Sequence, residues 1–378
     1  MNHSHRVLLV MAFISLAMFL SAAASAPDVI KTEEHTLRIV KIVSGLEHPW
    51  GHAFLPDNRI IITERPGRLR IVENGQLNLK PVAGLPAIAA RGQGGLLDVA
   101  LHPDFATNQL VYLTYSAAGA SGVGTEVARG KLIGNRLEDV EVIFRMAPKS
   151  NTGHHFGSRL VFDQKGYLYI TLGDRGEKKR AQLSGDHAGS VIRLHDDGRV
   201  PLDNPFVGKQ GWQPEKYTLG HRNMQGAALH HETGEVWTHE HGPQGGDEIN
   251  IIRPGINYGW PVITYGVNYV IGTQIGEGTH KAGMAQPLYY WVPSIAPSGM
   301  TFYTGDKFPR WRGNLMVGAL KDQMLVRLSL NGEKVVSEER LLKNRLGRIR
   351  DVSQGPDGYL YLLTDEKDGM LVRIEPAD

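Results

Sequence analysis

One hairpin pattern recurs six times along the chain, and it limits the possible folds more than any other feature. Each copy has an alternating apolar strand, a turn rich in Pro, Asp, Gly or Asn, and a second apolar strand, which is the pattern of a β-hairpin. The copies read WGHAFLPDNRIIITER from Trp50, LLDVALHPDFATNQLVYLTYS from Leu96, SRLVFDQKGYLYITLGDRG from Ser158, QGAALHHETGEVWTHEHG from Gln225, GMTFYTGDKFPRWRGNLMVGAL from Gly299 and IRDVSQGPDGYLYLLTDE from Ile349.

The spacing of the copies, roughly 45–75 residues, leaves room for about four strands in each repeat. Radial repetition of four-stranded sheets produces a β-propeller, in which only short strand edges stay unpaired. The sequence therefore predicts an all-β fold, a six-bladed β-propeller of four-stranded antiparallel blades. The 45 glycines and 20 prolines agree with such a turn-rich chain. A pair of β-sandwiches or a solenoid are the alternatives, although a solenoid would repeat with a shorter period.

Residues 1–26 have a different composition from the rest of the chain. Arg6 precedes an apolar run from Val7 to Leu20, and the small residues Ala24 and Ala26 follow. This layout predicts a secretory signal peptide that is cleaved near Ala26, and a single propeller domain over residues 27–378. An uncleaved membrane anchor is the alternative, but the apolar run is short for a span. We therefore expect a periplasmic or secreted protein with no stable membrane insertion after cleavage.

Charge and cysteine content exclude several classes of function. Lys plus Arg number 41 against 39 acidic residues, so the chain lacks the basic excess typical of nucleic-acid-binding proteins. The chain contains no cysteine, which excludes disulfides, iron–sulfur clusters and thiolate zinc sites.

Several turns and strand ends carry more reactive side chains than a structural turn needs. Each has an ordinary alternative: a structural histidine, an Asx turn at Asp174, or a solvated strand edge for Arg348 and Arg350, which share one strand face. In a propeller, however, such loops meet at one mouth, where function is found. The candidates are Gln93 in RGQGGLLDV, His154 and His155 in NTGHHFGSRL, Asp174 and Arg175 in LGDRG, Arg222 and Asn223 in LGHRNMQG, Lys321 in GALKDQ, and Arg348 and Arg350 in GRIRDV.

The stretch WTHEHGPQGGDEINIIRPGINYGWP, from Trp237 to Pro261, has the composition of a metal site. His239 and His241 lie on one face of a strand, which permits zinc or copper. The remaining polar groups are carboxylates and the backbone carbonyls of a glycine-rich loop, which suit calcium better. The residues therefore favour calcium and leave a transition metal or a metal-free loop open.

The order of these motifs, from GQGGLL through HHFGSRL, GDRG, LGHRN, GGDEIN and NYGWP to RIRDV, resembles that of the soluble quinoprotein sugar dehydrogenases. These are six-bladed propellers that use pyrroloquinoline quinone (PQQ) and calcium. The resemblance runs from Trp50 to the C-terminus. It is closer to the broad-specificity aldose sugar dehydrogenases than to the larger, dimeric glucose dehydrogenases, which implies a monomer.

The resemblance implies roles for most of the candidate residues. His155 matches the catalytic base, and Arg222 and Asn223 match the residues that contact quinone and substrate oxygens. Arg175 stands where the glucose enzymes carry a glutamine near the site. The remaining matches hold the cofactor's carboxylates or bind calcium: Gln93, Lys321, Arg348 and Arg350 for the carboxylates, the carbonyls of Gly242 and Pro243 for the cofactor's calcium, and Glu248 and Tyr258 for a second, structural calcium.

The implied function is oxidation of the C1 hydroxyl of aldose sugars to lactones by hydride transfer to PQQ. Calcium would polarise the quinone, and an electron acceptor that the sequence does not indicate would reoxidise the cofactor. The chain departs from the best-known glucose enzymes at His154, where they carry an acidic residue before the base. Two alternatives are a non-catalytic propeller that binds carbohydrate or protein, and a lactonase-type hydrolase, which would need carboxylate and Asn ligands around a central metal.

Overall fold

The structure, a computed structural model, describes residues 29–377, which form six antiparallel sheets. The predicted signal peptide at residues 1–26 lies outside these residues. Within the described part of the chain, no helix is long and apolar enough to cross a membrane. The first two strands are β1 (Val29–Lys31) and β2 (Thr36–Leu46), and they belong to the last sheet of the chain.

The next eleven strands form the first three sheets, which we number as blades 1–3 along the chain. Blade 1 contains β3 (Pro49–Phe54), β4 (Ile60–Glu64), β5 (Arg68–Glu73) and β6 (Gln76–Leu77). Blade 2 contains β7 (Leu96–Leu101), helix α1 (Phe105–Asn108), β8 (Leu110–Gly119), β9 (Gly122–Ile133) and β10 (Arg136–Arg145). Blade 3 contains β11 (Leu160–Phe162), β12 (Leu168–Thr171), a 3₁₀ helix (Lys178–Gln182) and β13 (Val191–Leu194).

The remaining strands form blades 4–6. Blade 4 contains β14 (Met224–Leu229), β15 (Val236–Glu240), β16 (Asp247–Ile251) and β17 (Tyr289–Trp291). Blade 5 contains β18 (Pro297–Phe302), a 3₁₀ helix (Pro309–Trp311), β19 (Leu315–Ala319), β20 (Met324–Asn331) and β21 (Lys334–Leu341). Blade 6 contains β22 (Ile349–Gln354), β23 (Leu360–Thr364) and β24 (Gly369–Pro376).

The predicted six-bladed propeller is confirmed. Each of the six repeats in the sequence is the pair of inner strands of one blade, and the innermost strands β3, β7, β11, β14, β18 and β22 contact each other in a ring. Among the described residues, four blades have four strands and blade 3 has three. Blade 6 has five, because β2 pairs antiparallel with β24 and carries β1 on its outer edge. The start of the chain therefore closes the ring.

The hydrophobic core lies between neighbouring blades. Six large clusters of buried side chains each join residues of two adjacent blades. Strand β4 shows why: Ile61 packs into the cluster shared with blade 2, whereas Ile60 and Ile62 pack into the cluster shared with blade 6. An inner strand is therefore apolar on both faces, which explains its nearly continuous hydrophobic sequence.

A single arginine occupies the propeller axis. The side chain of Arg159, immediately before β11, is only 6% exposed. Its guanidinium contacts residues of four other blades, so that with its own blade it joins five of the six. These contacts are ion pairs to Asp98 (3.1 Å) and Asp351 (2.9 Å), hydrogen bonds to the backbone oxygens of Gln225 (2.8 Å) and Arg350 (3.2 Å), and a cation–π contact with Trp50 (4.2 Å).

We expect Arg159→Met to lower the free energy of unfolding by about 3–5 kcal/mol, because it removes the arginine that pairs with two buried carboxylates. The matched control is Arg199→Met, which breaks a largely exposed pair with Asp197 and should cost less than about 1 kcal/mol. Equilibrium urea unfolding of both variants measures the difference. Equal, small losses would show that the axial charges do not hold the blades together.

Candidate active site at the propeller mouth

A cavity of about 360 Å³ opens at one end of the axis, with residues of all six blades in its wall. Its volume is within the usual range for sites that hold a small molecule or cofactor. Trp50, Leu97 and Phe156 provide apolar surface, and polar side chains surround them. The cavity can therefore bind a flat molecule that is charged at its periphery.

The structure brings most of the predicted cofactor residues to this cavity. Gln93, Asn223, Arg348 and Arg350 line it. Lys321 follows Leu320, which also lines the wall, and its ammonium donates to the backbone oxygen of Ser294 (2.9 Å). Residues far apart in the sequence thus meet because each follows or precedes an inner strand.

His155 lies next to the cavity in a partly buried hydrogen-bond network. Its backbone N–H donates to Oε1 of Gln93 (2.8 Å), and its Nδ1 lies 2.6 Å from Oδ1 of Asp174. The second oxygen of Asp174 accepts a hydrogen bond from the indole N–H of Trp260 (2.7 Å). This arrangement fixes the imidazole through Nδ1 and leaves Nε2 as the nitrogen that can exchange a proton.

The sequence interpretation names Asp174 as a candidate but gives it no partner and no role at the site. The predicted Asx turn exists, since Oδ1 of Asp174 accepts the N–H of Gly176 (2.7 Å), but the same carboxylate also holds His155. No local sequence signal links the two residues, because they come from opposite ends of the hairpin β11–β12. The two residues come together only in the folded blade.

The electrostatics of this pair suit a general base. Burial, together with the charge of Arg222, lowers the pKa of His155 below its usual range, although Asp174 acts in the opposite sense. Burial opposes ionisation of Asp174, but the hydrogen bond and charge of His155 outweigh it and leave the pKa of Asp174 below its usual value. At neutral pH His155 is therefore uncharged, with a free lone pair on Nε2.

Arg222 reaches the same region from the start of blade 4. Its Nη1 donates to the backbone oxygen of His241 (3.0 Å), and its guanidinium lies 5.4 Å from the ring centroid of Trp260. Its backbone N–H is held by the carboxylate of Glu240. A fixed cation therefore stands beside the Asp174–His155 pair.

Arg175 does not line the cavity. Its fully buried guanidinium donates to the backbone oxygens of Thr152 (2.8 Å) and His154 and lies 3.5 Å from the ring centroid of Phe156. Burial lowers the pKa of Arg175 to about 10. This placement does not fit the predicted cofactor contact. Arg175 instead stabilises the loop that carries His155, through the backbone oxygens of that loop.

Acidic residues among the cavity's cations were also missed. Asp365 accepts from Nη2 of Arg350 (2.6 Å) and lies 3.6 Å from Arg348. Burial opposes its ionisation, but Arg350 outweighs this effect and holds the pKa of Asp365 well below its usual range. The second donor arm of Arg350 is used by Oε1 of Gln225 (2.9 Å). Arg348, whose side chain is 42% exposed, is therefore the arginine with more freedom to bind an anion.

The candidate metal loop borders the cavity at His241. The backbone N–H of Gly242 donates to Asp247 (2.9 Å), and a Cβ on Gly242 would lie 2.2 Å from the carbonyl oxygen of Gly245, so only glycine is tolerated there. His239 and His241 donate to the backbone oxygens of Ser298 and Pro297.

The two histidines do not form a metal centre. Burial lowers the pKa of His239 to about 3 and that of His241 well below the normal value, so both rings are neutral hydrogen-bond donors. Over residues 29–377, no group of three or more His, Asp or Glu side chains has metal-binding geometry. The placements argue against zinc or copper, and they leave the carbonyl-based calcium prediction for Gly242 and Pro243 as a prediction.

Glu248 and Tyr258 border a separate, very small cavity of about 10 Å³, which has room for about one water-sized particle. Glu248 lies opposite Glu240 on the neighbouring strand. Nδ2 of Asn250 contacts both carboxylates, that of Glu248 at 3.3 Å and that of Glu240 at 3.4 Å. Oδ1 of Asn250 is buried and has no partner among the described residues. The Tyr258 hydroxyl is bound to backbone groups, which leaves its carbonyl as a ligand. This oxygen-rich set fits a hard cation.

Comparisons with known proteins agree with this geometry. The family model described as glucose/sorbosone dehydrogenase matches residues 46–373. Aldose sugar dehydrogenase YliI of Escherichia coli (strain K12) is 47% identical over 349 residues, covering 91% of this chain and 94% of the relative. Quinoprotein glucose dehydrogenase B of Acinetobacter calcoaceticus is 28% identical over 435 residues, covering 93% and 90%.

Two solved structures are similar over most of the chain. The apo-form of the soluble aldose sugar dehydrogenase from Escherichia coli has a TM-score of 0.88 at 47% identity and covers 90% of this chain and 99% of that one. The PQQ-bound aldose sugar dehydrogenase from Streptomyces coelicolor has a TM-score of 0.74 at 26% identity, with 93% and 100% coverage.

We expect the His155 ring to titrate below the ordinary histidine value of about 6.5. In Asp174→Asn it should titrate lower still, because the variant removes a carboxylate that favours the imidazolium. NMR titration of the ring protons, assigned with a His155→Ala spectrum, measures both values. Asp197→Asn, an exposed change outside the site, serves as the control. A higher value in Asp174→Asn would contradict the pairing.

Proposed function

The chain belongs to the glucose/sorbosone dehydrogenase family and is a PQQ-dependent sugar dehydrogenase, and from this premise we propose that it oxidises the C1 hydroxyl of aldose sugars to lactones. The observation that carries the proposal is the Asp174–His155 pair beside a cavity that is apolar in its wall and cationic at its edge. The sequence of residues 1–26 supports a periplasmic or secreted location, and the resemblance supports a monomer.

His155 is the proposed general base. Its Nε2 takes the proton of the C1 hydroxyl while the C1 hydrogen leaves as hydride and the C1–O double bond forms. Asp174 holds the ring in one tautomer and stabilises the imidazolium that results, as its 2.6 Å contact with Nδ1 requires. Arg222 supplies positive charge next to this pair and stabilises negative charge that develops during hydride transfer.

The cavity residues are the proposed cofactor site. When bound, PQQ supplies the two-electron acceptor. Its three carboxylates call for charge-assisted donors, and Lys321, Arg348 and Arg350 provide them, with Gln93 and Asn223 as neutral partners. The rings of Trp50 and Phe156 lie in the same wall and suit a flat aromatic cofactor.

We assign two calcium sites to blade 4. The carbonyls of Gly242 and Pro243 would hold the ion that polarises the quinone, because their loop borders the cavity at His241. Glu248, with the Tyr258 carbonyl, would hold a structural ion, and the unpartnered Asn250 amide oxygen supports this second site.

A lactonase-type hydrolase would need free carboxylates around a metal on the axis. The axial carboxylates of Asp98 and Asp351 are both paired with Arg159, and Asp351 also accepts from His52 (2.9 Å). The geometry therefore supports the dehydrogenase.

The direct test uses purified protein with PQQ and calcium chloride, an aldose and an electron-accepting dye. Dye reduction should require PQQ, and His155→Ala should lower kcat by about 10²–10⁴-fold, the usual contribution of a general base. His154→Ala is the matched control, since this neighbouring ring is exposed. Full activity in His155→Ala, or no aldose-dependent reduction by the wild type, would refute the proposal.

Calcium should stabilise the protein through Glu248. Burial of the carboxyl group and the charge of Glu240 raise the pKa of Glu248 well above normal. Without metal, the folded state therefore loses stability as the pH rises above the pKa that Glu248 has in the unfolded chain. Calcium displaces that proton, and its stabilising effect should therefore be larger at pH 8 than at pH 6. Thermal unfolding with and without calcium measures this effect. The extra stabilisation at pH 8 should disappear in Glu248→Gln and persist in Glu235→Gln, which changes an exposed pair with Arg253.

A further inference from the structure

A second histidine–aspartate pair faces the cofactor cavity, and the function described above does not use it. His48, between β2 and β3, lines the cavity, and its Nδ1 lies 3.0 Å from Oδ1 of Asp365. Its side chain is 32% exposed, and Nε2 has no hydrogen-bond partner among the described residues. The pair therefore presents one free imidazole nitrogen to the cavity.

The backbone holds His48 in this position at some cost. Its φ of 46° is in the left-handed region, which is uncommon for a residue other than glycine. The conformation is fixed because His48 donates its N–H to the backbone oxygen of Glu366 (2.8 Å) and accepts the N–H of Arg65 (3.1 Å). The ring is thus directed at Asp365 by two neighbouring loops.

Asp365 creates an electrostatic problem for a cofactor that carries carboxylates. It is ionised and accepts from Arg350, and it lies near Arg348, so one of the two arginine charges is cancelled. A positive charge on His48 would compensate for Asp365 and restore the full cationic character of this wall. A neutral His48 would not.

The other charged groups around His48 divide almost evenly between the two signs. Arg348 and Arg350 lie beyond Asp365 on blade 6. The remaining groups come from the loops before β3, after β4 and after β23, and they are Glu47, Arg65, Glu366 and Lys367. Glu47 is engaged by Arg68 (2.7 Å), and Arg65 by the backbone oxygen of Gly92 (2.7 Å). His48 is therefore a side chain in this wall that can gain a positive charge when a carboxylate binds beside it.

We infer that His48 is a further carboxylate-binding residue of the cofactor site and that it acts in its protonated form, so that PQQ binding is linked to uptake of one proton. The inference rests on the proposed function of the cavity. Affinity for PQQ should fall as pH rises through the range in which an imidazole loses its proton. The contribution is about tenfold, the effect of one charge-assisted hydrogen bond.

The test is the affinity of the apo-protein for PQQ, measured by equilibrium dialysis at constant ionic strength and constant calcium between about pH 5.5 and pH 8. The wild type should bind about tenfold more weakly at the upper end. His48→Gln should bind about tenfold more weakly than wild type at low pH and show a flatter profile, whereas His48→Lys should stay tight across the range. His102→Gln, which removes a histidine 3.6 Å from Asp196 and outside the cavity, should behave as wild type.

Thermal unfolding of each variant shows whether it is folded. If His48→Gln does not fold, His48→Lys still tests the inference. A His48→Gln profile that matches wild type in affinity and pH dependence would overturn the inference while leaving the dehydrogenase function intact. A loss of affinity at high pH in His48→Lys, equal to that of wild type, would also overturn it. A wild type that does not bind PQQ at any pH would overturn both this inference and the proposed function.

Discussion

The guanidinium of Arg159 is the interaction on which the rest of the propeller depends. It lies on the axis, where six inner strands converge and where backbone and side-chain polar groups would otherwise face each other without water. One residue neutralises Asp98 and Asp351 and donates to the backbone oxygens of Gln225 and Arg350. It also separates the cavity at the functional mouth from a second cavity, of about 390 Å³, at the opposite end.

This arrangement explains why the chemistry is found at one mouth. The strands that Arg159 holds carry the cavity residues, since Trp50, Gln225 and Arg350 are at once its partners and part of the cavity wall. The loops next to these strands then carry the reactive groups. The proposed base, His155, lies between a carboxylate that orients it and buried surroundings that keep it neutral, and a proton acceptor at neutral pH needs both effects.

The sequence predicts the parts of this structure that are local. All six hairpins were predicted because alternating apolar residues and turn residues are read within about twenty positions. Closure of the ring was not, because Leu37 pairs with Pro376 from the other end of the chain. The same holds for the site. His155 was singled out through its motif, but Asp174, Asp365 and Asn250 acquire their proposed roles only through contacts that folding creates.

Arg175 shows the opposite error. The family resemblance implied a cofactor contact for Arg175, but the turn directs the guanidinium into the protein, where backbone oxygens bind it. Charge in a motif therefore does not show which way a side chain points. The distinction depends on burial, and burial is set by packing between blades.

The central claim is that one protein molecule binds one PQQ and uses it to oxidise an aldose. The most direct measurement is a single turnover without oxygen, in which PQQ-loaded protein is mixed with an aldose and the absorbance of the oxidised quinone is followed beside the lactone formed. The account predicts loss of one equivalent of oxidised quinone per protein and one lactone for each. Bound quinone that stays oxidised in excess aldose would contradict the account, and so would lactone formed without reduction of the quinone.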